Sequence, residues 1–174
     1  MVKLICGMLS SQAALLEQAE GPLAGLFGPV ELASEVMDFD FTDYYRREMG
    51  GPLYRRFVAF AGCVSPEVLV EAKWSTNALE ADFARRLGGS PPRPINLDVG
   101  YVEPSKLVLA SLKNFSHRVY LGRSVYADLT LMYRKGRWEP LPWTFPDYAS
   151  GRYHPFLSEV RRHLRRRMDQ EKAT

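Results

Sequence analysis

The chain has 174 residues and a net charge of +3, and 46% of its residues are hydrophobic and 25% charged. These values are ordinary for one soluble globular domain with a substantial buried core. No apolar run approaches the roughly 18 residues that a helix needs to cross a bilayer, so no membrane-spanning helix is expected.

The N-terminus and the cysteines indicate the compartment. MVKLICGMLSS has one Lys and a short apolar stretch, and the residues after it continue a foldable pattern, so a signal peptide is not expected. Cys6 and Cys63 lack CxxC spacing and lie in apolar segments, which favours two buried reduced thiols. We therefore predict a cytoplasmic protein with no membrane partner.

The first 102 residues predict the order βαββαβ. VKLICGML is typical of a buried strand, and the helix after it should break or kink at Gly21-Pro22. PVELASEVMDF and LYRRFVAFAGCV predict two strands, separated by the polar insert DFDFTDYYRREMGG. A helix begins at the N-cap Ser65 and ends at Gly88-Gly89, and INLDVGYV supplies the next strand.

This order predicts the fold class. Two helices covering one face of an antiparallel sheet are the split βαβ, or ferredoxin-like, arrangement. We predict a single α+β domain over 1–174, with a ferredoxin-like antiparallel core at 1–102. A β-meander and a Pro/aromatic segment extend it at 103–150, and a basic amphipathic terminal helix occupies 151–174. KLVLASLK, near the start of the extension, is ambiguous between a short helix and a strand.

The stretch NFSHRVYLGRSVYADLTLMYRKGRW predicts a hairpin with one polar face. With 122–124 as a three-residue loop, Leu121 opposes Val125 and Arg118 opposes Asp128. Arg118 and Asp128 then form a cross-strand ion pair, worth about 0–1 kcal/mol if the face is solvated. If the face lines a cleft, Arg118 suits phosphate or carboxylate. The apolar face carries Val119, Leu121, Val125, Ala127, Leu129 and Leu131. The polar face carries Arg118, Tyr120, Tyr126, Asp128 and Thr130.

The polar face gives the candidate site. Asp98, on the outward face of INLDVGYV with Asn96, and two lysines are expected to converge with Arg118, although ordinary surface charge is the alternative. His117 should point to the opposite, more apolar face, as a core residue or a general base without an evident partner. The ligand-binding candidates are Arg118, Asp128, Tyr120, Tyr126, Asp98, Lys106, Lys113 and His117. We expect them to bind a small anionic ligand, with a nucleotide as one option; no reaction or cofactor is assigned.

Three carboxylates in DFDFTDYY are weak metal candidates. Asp38, Asp40 and Asp43 are close enough in sequence to ligate a hard cation such as magnesium. The EF-hand spacing is missing, and Asp43 is equally suited to the start of a short helix capped by Thr42.

The last part of the chain offers two alternative functions. The six basic and three acidic residues from Phe156 onwards account for the whole net charge of +3. RRHLRRR beside an apolar stripe therefore suggests an RNA-associated module, although a solvated helix face is the common alternative. WEPLPWTFPDY is too rich in Pro for a central strand and should pack its rings into a groove, act as a lid, or meet another subunit of a structural oligomer.

Six motifs occur in a recognisable order: VKLICGMLSS, DFDFTDYYRREMG, INLDVGYV, NFSHRVYLG, VYADLTLMYRKGRWEPLPW and FPDY. Together they resemble an uncharacterised prokaryotic family, domain of unknown function four-four-one-six, over nearly the whole chain. The resemblance implies no established reaction, although family members are sometimes labelled GTP-binding. The sequence has no GxxxxGK[ST] loop and no NKxD-type guanine reader, so ordinary GTPase chemistry is not expected, while unconventional nucleotide binding remains open.

Overall fold

The computed structural model describes residues 1–42 and 45–172. The chain forms an α+β molecule, as predicted. Its strands are β1 Lys3–Ser10, β2 Val30–Ala33, β3 Met37–Phe39, β4 Leu53–Phe60, β5 Ile95–Glu103, β6 Lys106–Ser111, β7 Arg118–Gly122, β8 Val125–Arg134 and β9 Arg137–Pro140. Its helices are α1 Ala13–Gln18, α2 Glu20–Phe27, α3 Arg46–Met49, α4 Leu69–Arg86, α5 Pro146–Ala149 and α6 His154–Lys172.

Among the described residues, nine strands form one antiparallel sheet. The strand order is β2-β4-β1-β5-β6-β8-β7, with β3 paired to β4 and β9 paired to β8. KLVLASLK is therefore a strand, β6, which pairs with β5 and β8. The large antiparallel sheet agrees with the prediction, but nine strands are more than the four of a ferredoxin-like sheet.

Both faces of the central strand β1 are covered. Successive side chains of a strand point to opposite faces. Leu4, Cys6 and Met8 pack with α1, α2 and α4, whereas Ile5 packs with α5 and α6 on the other face. Every residue of β1 is buried as a result.

Local signals explain where the helices begin and break. The first helix breaks at Ala19, not at Gly21-Pro22 as predicted, because Pro22 falls in the first turn of α2, where a missing N–H is tolerated. The Ser65 hydroxyl accepts a hydrogen bond from the Glu67 N–H at 3.4 Å and caps a short 3-10 turn that leads into α4. The predicted cap Ser65 is therefore confirmed.

The sheet opens between β5 and β6. β5 pairs with β1 from Ile95 to Val102, but with β6 only from Gly100 to Glu103. At Gly100 the two strands approach closely: a Cβ atom there would overlap the Val108 carbonyl oxygen and lie 2.6 Å from Leu109 Cδ2. Before Gly100 the strands separate, and this fork creates the space for the site.

The hairpin of β7 and β8 has most of the predicted register. Arg118 opposes Asp128 and Tyr120 opposes Tyr126, as expected, but Gly122 rather than Leu121 opposes Val125. The prediction of a three-residue loop was wrong. Leu121 lies in a β-bulge, and the turn residues 123 and 124 both have positive φ, which is typical of a two-residue turn.

The strand β7 lies at the edge of the sheet. Val119 is 66% exposed and Leu121 is 42% exposed, so the expected packing of the apolar hairpin face against the core is wrong for this strand. β7 has a partner strand on one side only, and neither Val119 nor Leu121 belongs to a hydrophobic core cluster of the described residues. Association with another subunit through the polar sheet face and the WEPLPW segment stays a prediction.

The C-terminal third closes one face of the sheet. β9 is an edge strand, in agreement with the Pro content of WEPLPW, and the buried Trp138 donates from Nε1 to Ser158 Oγ of α6 at 3.1 Å. Leu157, Val160 and Leu164 of α6 are buried, whereas residues 165–167 are exposed arginines. RNA contact through these arginines stays a prediction. In the described part of the chain, no helix is both long and apolar enough to span a membrane.

Candidate functional site

A cavity of about 310 Å³ lies at the fork between β5 and β6. α4 and β5 form one wall, and the end of β6 with β7 and β8 forms the other. The segment around β3 and the short helix α5 complete the enclosure. Because strands from both halves of the sheet contribute, the cavity brings together side chains that are distant in sequence.

Arg55 of β4 lies at the base of the cavity and is only 2% exposed. Its Nη1 donates to Asp98 Oδ2 at 3.0 Å, and its Nη2 donates to Asp147 Oδ2 at 3.5 Å. Gly7 of β1 makes room for it, since a Cβ atom at Gly7 would lie 2.8 Å from Phe57 Cε1 and 3.3 Å from Arg55 Nη1. Burial by itself lowers the pKa of Arg55, but Tyr148, Asp98 and Asp147 outweigh burial and raise it.

The two carboxylates on Arg55 differ in their acidity. Burial raises the pKa of Asp147 above its ordinary value, and the charge of Arg55 only partly offsets this. Burial also acts on Asp98, but Arg55 and Lys73 outweigh it and lower the pKa of Asp98. Asp98 also accepts a hydrogen bond from Asn96 Nδ2 at 2.8 Å, and 26% of its side chain is exposed. Asp98 is therefore the carboxylate that stays ionised at the cavity surface.

Two side chains of α4 form hydrogen bonds with the backbone of β5 where β6 no longer pairs with it. Lys73 Nζ donates to the Leu97 carbonyl at 3.3 Å, and Glu80 Oε1 accepts from the Leu97 N–H at 2.6 Å. Glu80 Oε2 also lies 3.4 Å from Arg93 Nη2. Burial raises the pKa of Glu80 although Lys73 and Arg93 act against it. The backbone of β5 is thus satisfied where β6 has diverged.

Lys73 is a buried cation with one hydrogen bond. It is 6% exposed, and none of the carboxylates in the described ranges lies within 4.0 Å of its Nζ. An ammonium group has three donors, so two of them have no acceptor among the described residues, and Lys73 lines the cavity.

Arg118 is held in place on the opposite wall. Its Nε donates to Asp128 Oδ2 at 2.8 Å, and its Nη1 donates to Ser111 Oγ and to the Lys113 carbonyl, each at 2.9 Å. Its Nη2 has no hydrogen-bond acceptor in the part of the chain that the structure describes. Asp128 is 4% exposed, so the predicted ion pair lies in a cleft and not on a solvated face.

His117 lies on the same side of the sheet as Arg118. Its Nε2 is 3.4 Å from Asp128 Oδ2, and its ring stacks on Trp143 with centroids 5.1 Å apart. The expectation that His117 points to the apolar face is wrong, because His117 belongs to the turn before β7, where strand alternation does not apply.

The cavity brings together half of the predicted site residues. Asp98, Lys113, Arg118 and Asp128 line it. The other four do not belong to its described lining. Two of them, Tyr120 and Tyr126, pack against each other with ring centroids 5.3 Å apart.

Lys106 does not converge with Arg118 as expected. It lies at the closed end of the β5–β6 pair, opposite Glu103, and forms an ion pair with that residue. The fork opens at the other end of β6, where Ser111 and Lys113 line the cavity.

The carboxylates of the polar insert lie apart from this arrangement. Asp38 and Asp40 are exposed, and Arg152 Nη1 donates to the Asp38 carbonyl at 2.7 Å and to Asp40 Oδ1 at 3.2 Å. Asp43 lies outside the described residues. Within 1–42 and 45–172, no group of three His, Cys, Asp or Glu side chains is placed to hold a metal ion.

Aromatic rings line the mouth of the cavity. Phe39 contacts Phe41 and Tyr45 edge to face, with centroids 5.7 and 6.1 Å apart. Burial raises the pKa of Tyr45 to about 12, so its hydroxyl is protonated at neutral pH. Phe145, also in the lining, is 50% exposed. Arg55 lies over the Phe39 ring at 5.2 Å and Arg152 lies over the Phe41 ring at 4.5 Å, so Phe145 is the aromatic ring of the lining that is most open to a ligand.

Several residues of the cavity were missed from the sequence, although a signal existed for some. Arg55 lies on the same face of its strand as Leu53 and Phe57, and this face points inward. Lys73 and Glu80 follow Leu69 at spacings of four and eleven, on or beside the buried stripe of α4. A charged residue at a core position is the informative pattern. The missed residues are Arg55, Lys73, Glu80, Arg93, Asp147 and Tyr148, whereas Asn96 was noted beside Asp98 but not counted among the candidates.

A family model described as Domain of unknown function (DUF4416) matches residues 1–164. The chain belongs to this family. The resemblance inferred from six motifs is therefore confirmed, and the DUF4416 match includes every cavity residue named above. No curated protein and no solved structure shows significant similarity to the chain.

Proposed function

We propose that the cavity binds a small molecule with a phosphate or carboxylate group, held between Lys73 and Arg118. The observation that carries this proposal is the buried ammonium of Lys73, which contacts a backbone carbonyl at 3.3 Å and no carboxylate among the described residues. A buried charge is costly unless it is paired. A bound anion supplies the missing partner.

The neighbouring carboxylates are engaged elsewhere. Asp98 is bound to Arg55 and Asn96, while Glu80 is bound to the Leu97 N–H and Arg93. They moderate the positive charge of Lys73 without contacting it. An anion therefore does not have to displace an existing ion pair in order to reach Nζ.

Arg118 supplies a second donor from the facing wall. Three hydrogen bonds to Asp128, Ser111 and Lys113 fix its guanidinium, which leaves Nη2 for a ligand. A guanidinium that is already positioned loses little side-chain entropy on binding an anion. Two cations on opposite walls match the several oxygens of a phosphate group.

A nucleotide is the specific ligand that we propose within this class. The half-exposed ring of Phe145 in the cavity lining offers a surface on which a base can stack. A cavity of about 310 Å³ is at the lower end of the range for small-molecule sites, which favours a mononucleotide over a larger cofactor.

Isothermal titration calorimetry with phosphate, citrate and nucleoside monophosphates tests the proposal. We expect the wild-type protein to bind at least one of these anions, and Lys73→Met to weaken that binding about tenfold or more, since a charge-assisted contact is lost while the side-chain volume is kept. Lys106→Met is the matched control, because Lys106 is outside the cavity and paired with Glu103.

A second variant addresses Arg118. Arg118→Ala alone leaves Asp128 buried without its cation, which destabilises the fold. We therefore combine Arg118→Met with Asp128→Asn, and expect ligand-induced thermal stabilisation to disappear while the unliganded protein stays folded. Unchanged affinity in Lys73→Met, or no binding across the anion panel by wild type, contradicts the proposal.

We also propose that the first half of the chain is a split βαβ, ferredoxin-like unit. Its support is the order β2-β4-β1-β5, with antiparallel neighbours throughout and with α1, α2 and α4 on one face. The strands β6 to β9 then extend this unit past β5. A crystal structure with a different strand order in this half overturns the assignment.

A further inference from the structure

We infer that the anionic ligand also carries a hydroxyl group, which donates a hydrogen bond to Asp98, so that the ligand class is a phosphorylated polyol or sugar, which includes the ribose phosphate of a nucleotide. This inference rests on the proposed function, because it concerns the other end of the same ligand. The observation behind it is that one cavity holds both open cationic donors and an open anionic acceptor.

Asp98 has one oxygen committed and one oxygen open. Both of its hydrogen bonds, from Arg55 at 3.0 Å and from Asn96 at 2.8 Å, end on Oδ2. Oδ1 has no hydrogen-bond donor within residues 1–42 and 45–172, and 26% of the side chain is exposed where it lines the cavity. An ionised carboxylate only accepts hydrogen bonds, so the ligand atom beside Oδ1 must be a donor.

The phosphate itself cannot occupy that position. A phosphate monoester carries a charge of about −1.5 to −2, and a carboxylate repels it. The anionic group is therefore drawn toward Lys73 and Arg118, and a different part of the ligand faces Asp98. Such an arrangement selects a ligand with two chemically distinct ends.

A hydroxyl group fits this position better than an ammonium group. Arg55 already contacts Asp98, and Lys73 lines the same cavity, so a third cation would be repelled by both. A neutral hydroxyl donates to Oδ1 without adding charge. Asn96, whose amide donates to Asp98, keeps the carboxylate oriented toward the ligand.

The test uses three phosphate esters with the same two-carbon chain: ethyl phosphate, 2-hydroxyethyl phosphate and 2-aminoethyl phosphate. Their Kd values for the wild-type protein are measured by calorimetry. We expect 2-hydroxyethyl phosphate to bind about tenfold more tightly than ethyl phosphate, as for a hydrogen bond to a charged group. We expect the amino ester to bind less tightly than the hydroxy ester.

Two isosteric variants test whether the preference for the hydroxy ester comes from the Asp98 carboxylate. Asp98→Asn should reduce the preference for the hydroxy ester to less than about twofold, because the charged acceptor is gone. Asp82→Asn is the matched control: it removes a carboxylate of α4 that pairs with Arg85 outside the cavity lining, and it should keep the preference. If Asp98→Asn does not fold, the three wild-type affinities alone decide.

Each outcome separates this inference from the proposed function. Equal affinity of wild type for the ethyl and hydroxy esters overturns the hydroxyl contact but leaves anion binding standing. Tighter binding of the amino ester overturns the choice of a hydroxyl. If none of the three esters binds while another anion of the panel does, only this inference fails; if no anion binds, both fail.

Discussion

At the scale of single residues, the buried ammonium of Lys73 is expected to lower the stability of the unliganded fold. Its ammonium is buried on α4 and has one carbonyl contact at 3.3 Å. Replacing a buried charge by an apolar side chain of similar size is often neutral or stabilising. A residue kept at a cost to the folded state indicates a role other than folding.

This leads to a prediction for the unliganded protein. Lys73→Met should raise the free energy of unfolding by about 1 kcal/mol, because the desolvation of the ammonium outweighs both its one hydrogen bond to Leu97 and its attraction to Asp98 and Glu80. Urea unfolding in ligand-free buffer measures it. Lys106→Met, which removes a half-exposed lysine, should change stability by less than about 0.5 kcal/mol. Marked destabilisation by Lys73→Met would show that its ammonium stabilises the free fold.

The sequence predicted single residues where local rules apply. Arg118 and Asp128 were paired correctly because hairpin register follows from alternation and a short turn. Arg55 was not identified, because its partners are 43 and 92 residues away and no local rule connects them. The position of His117 was misjudged because the strand begins one residue later.

At the scale of elements, the fork between β5 and β6 determines where the cavity lies. The strands meet at Gly100 and separate toward Ile95, and α4 supplies the lost hydrogen bonds through Lys73 and Glu80. A glycine is required at the meeting point because no Cβ atom fits between the strands there.

Substitution of this glycine should destabilise the sheet. Gly100→Ala forces a methyl group against the Val108 carbonyl and Leu109, and we expect a loss of about 1–3 kcal/mol in the free energy of unfolding. The matched control is Gly25→Ala on α2, where nothing lies within 4 Å. At that position, alanine should raise the free energy of unfolding by about 0.5–1 kcal/mol. Thermal and urea unfolding of both variants measure the effects, and changes of the same sign would contradict the close approach at Gly100.

The elements themselves were largely predictable, but their extent and pairing were not. The helix after Ser65 and the strand INLDVGYV follow from capping and alternation. The fork does not, because β5 alternates regularly through the point where β6 leaves it. Strand separation depends on where the next strand is attached, which is a tertiary property.

At the scale of the whole molecule, ion pairs in the cavity connect elements that are distant along the chain. Arg55 links Asp98 of β5 with Asp147 of α5, and Glu80 of α4 is linked to Arg93. Since Asp98 and Asp147 share one guanidinium but have pKa values shifted in opposite directions, their ionisation affects stability in opposite ways.

The pH dependence of two asparagine variants should therefore differ in sign. The pKa of Asp98 in the folded state lies below the unfolded value of about 3.9. Wild type therefore gains stability relative to Asp98→Asn as the pH rises from the folded pKa through the unfolded pKa, and it keeps this advantage at higher pH. The folded pKa of Asp147 lies above that value, so wild type loses stability relative to Asp147→Asn as the pH rises through the folded pKa.

Urea unfolding at about pH 3.5 and about pH 7 measures both differences. The stability advantage of wild type over Asp98→Asn should be larger at the higher pH, and that over Asp147→Asn should be smaller. Two variants that respond to pH in the same direction would contradict the opposite ionisation of the pair.

The residues that line the cavity lie between Phe39 and Tyr148, and they belong to strands and helices that are far apart along the chain. Local unfolding of any one of these elements therefore removes part of the lining. A ligand binds only molecules in which both halves of the sheet are assembled, so bound ligand stabilises the two halves together.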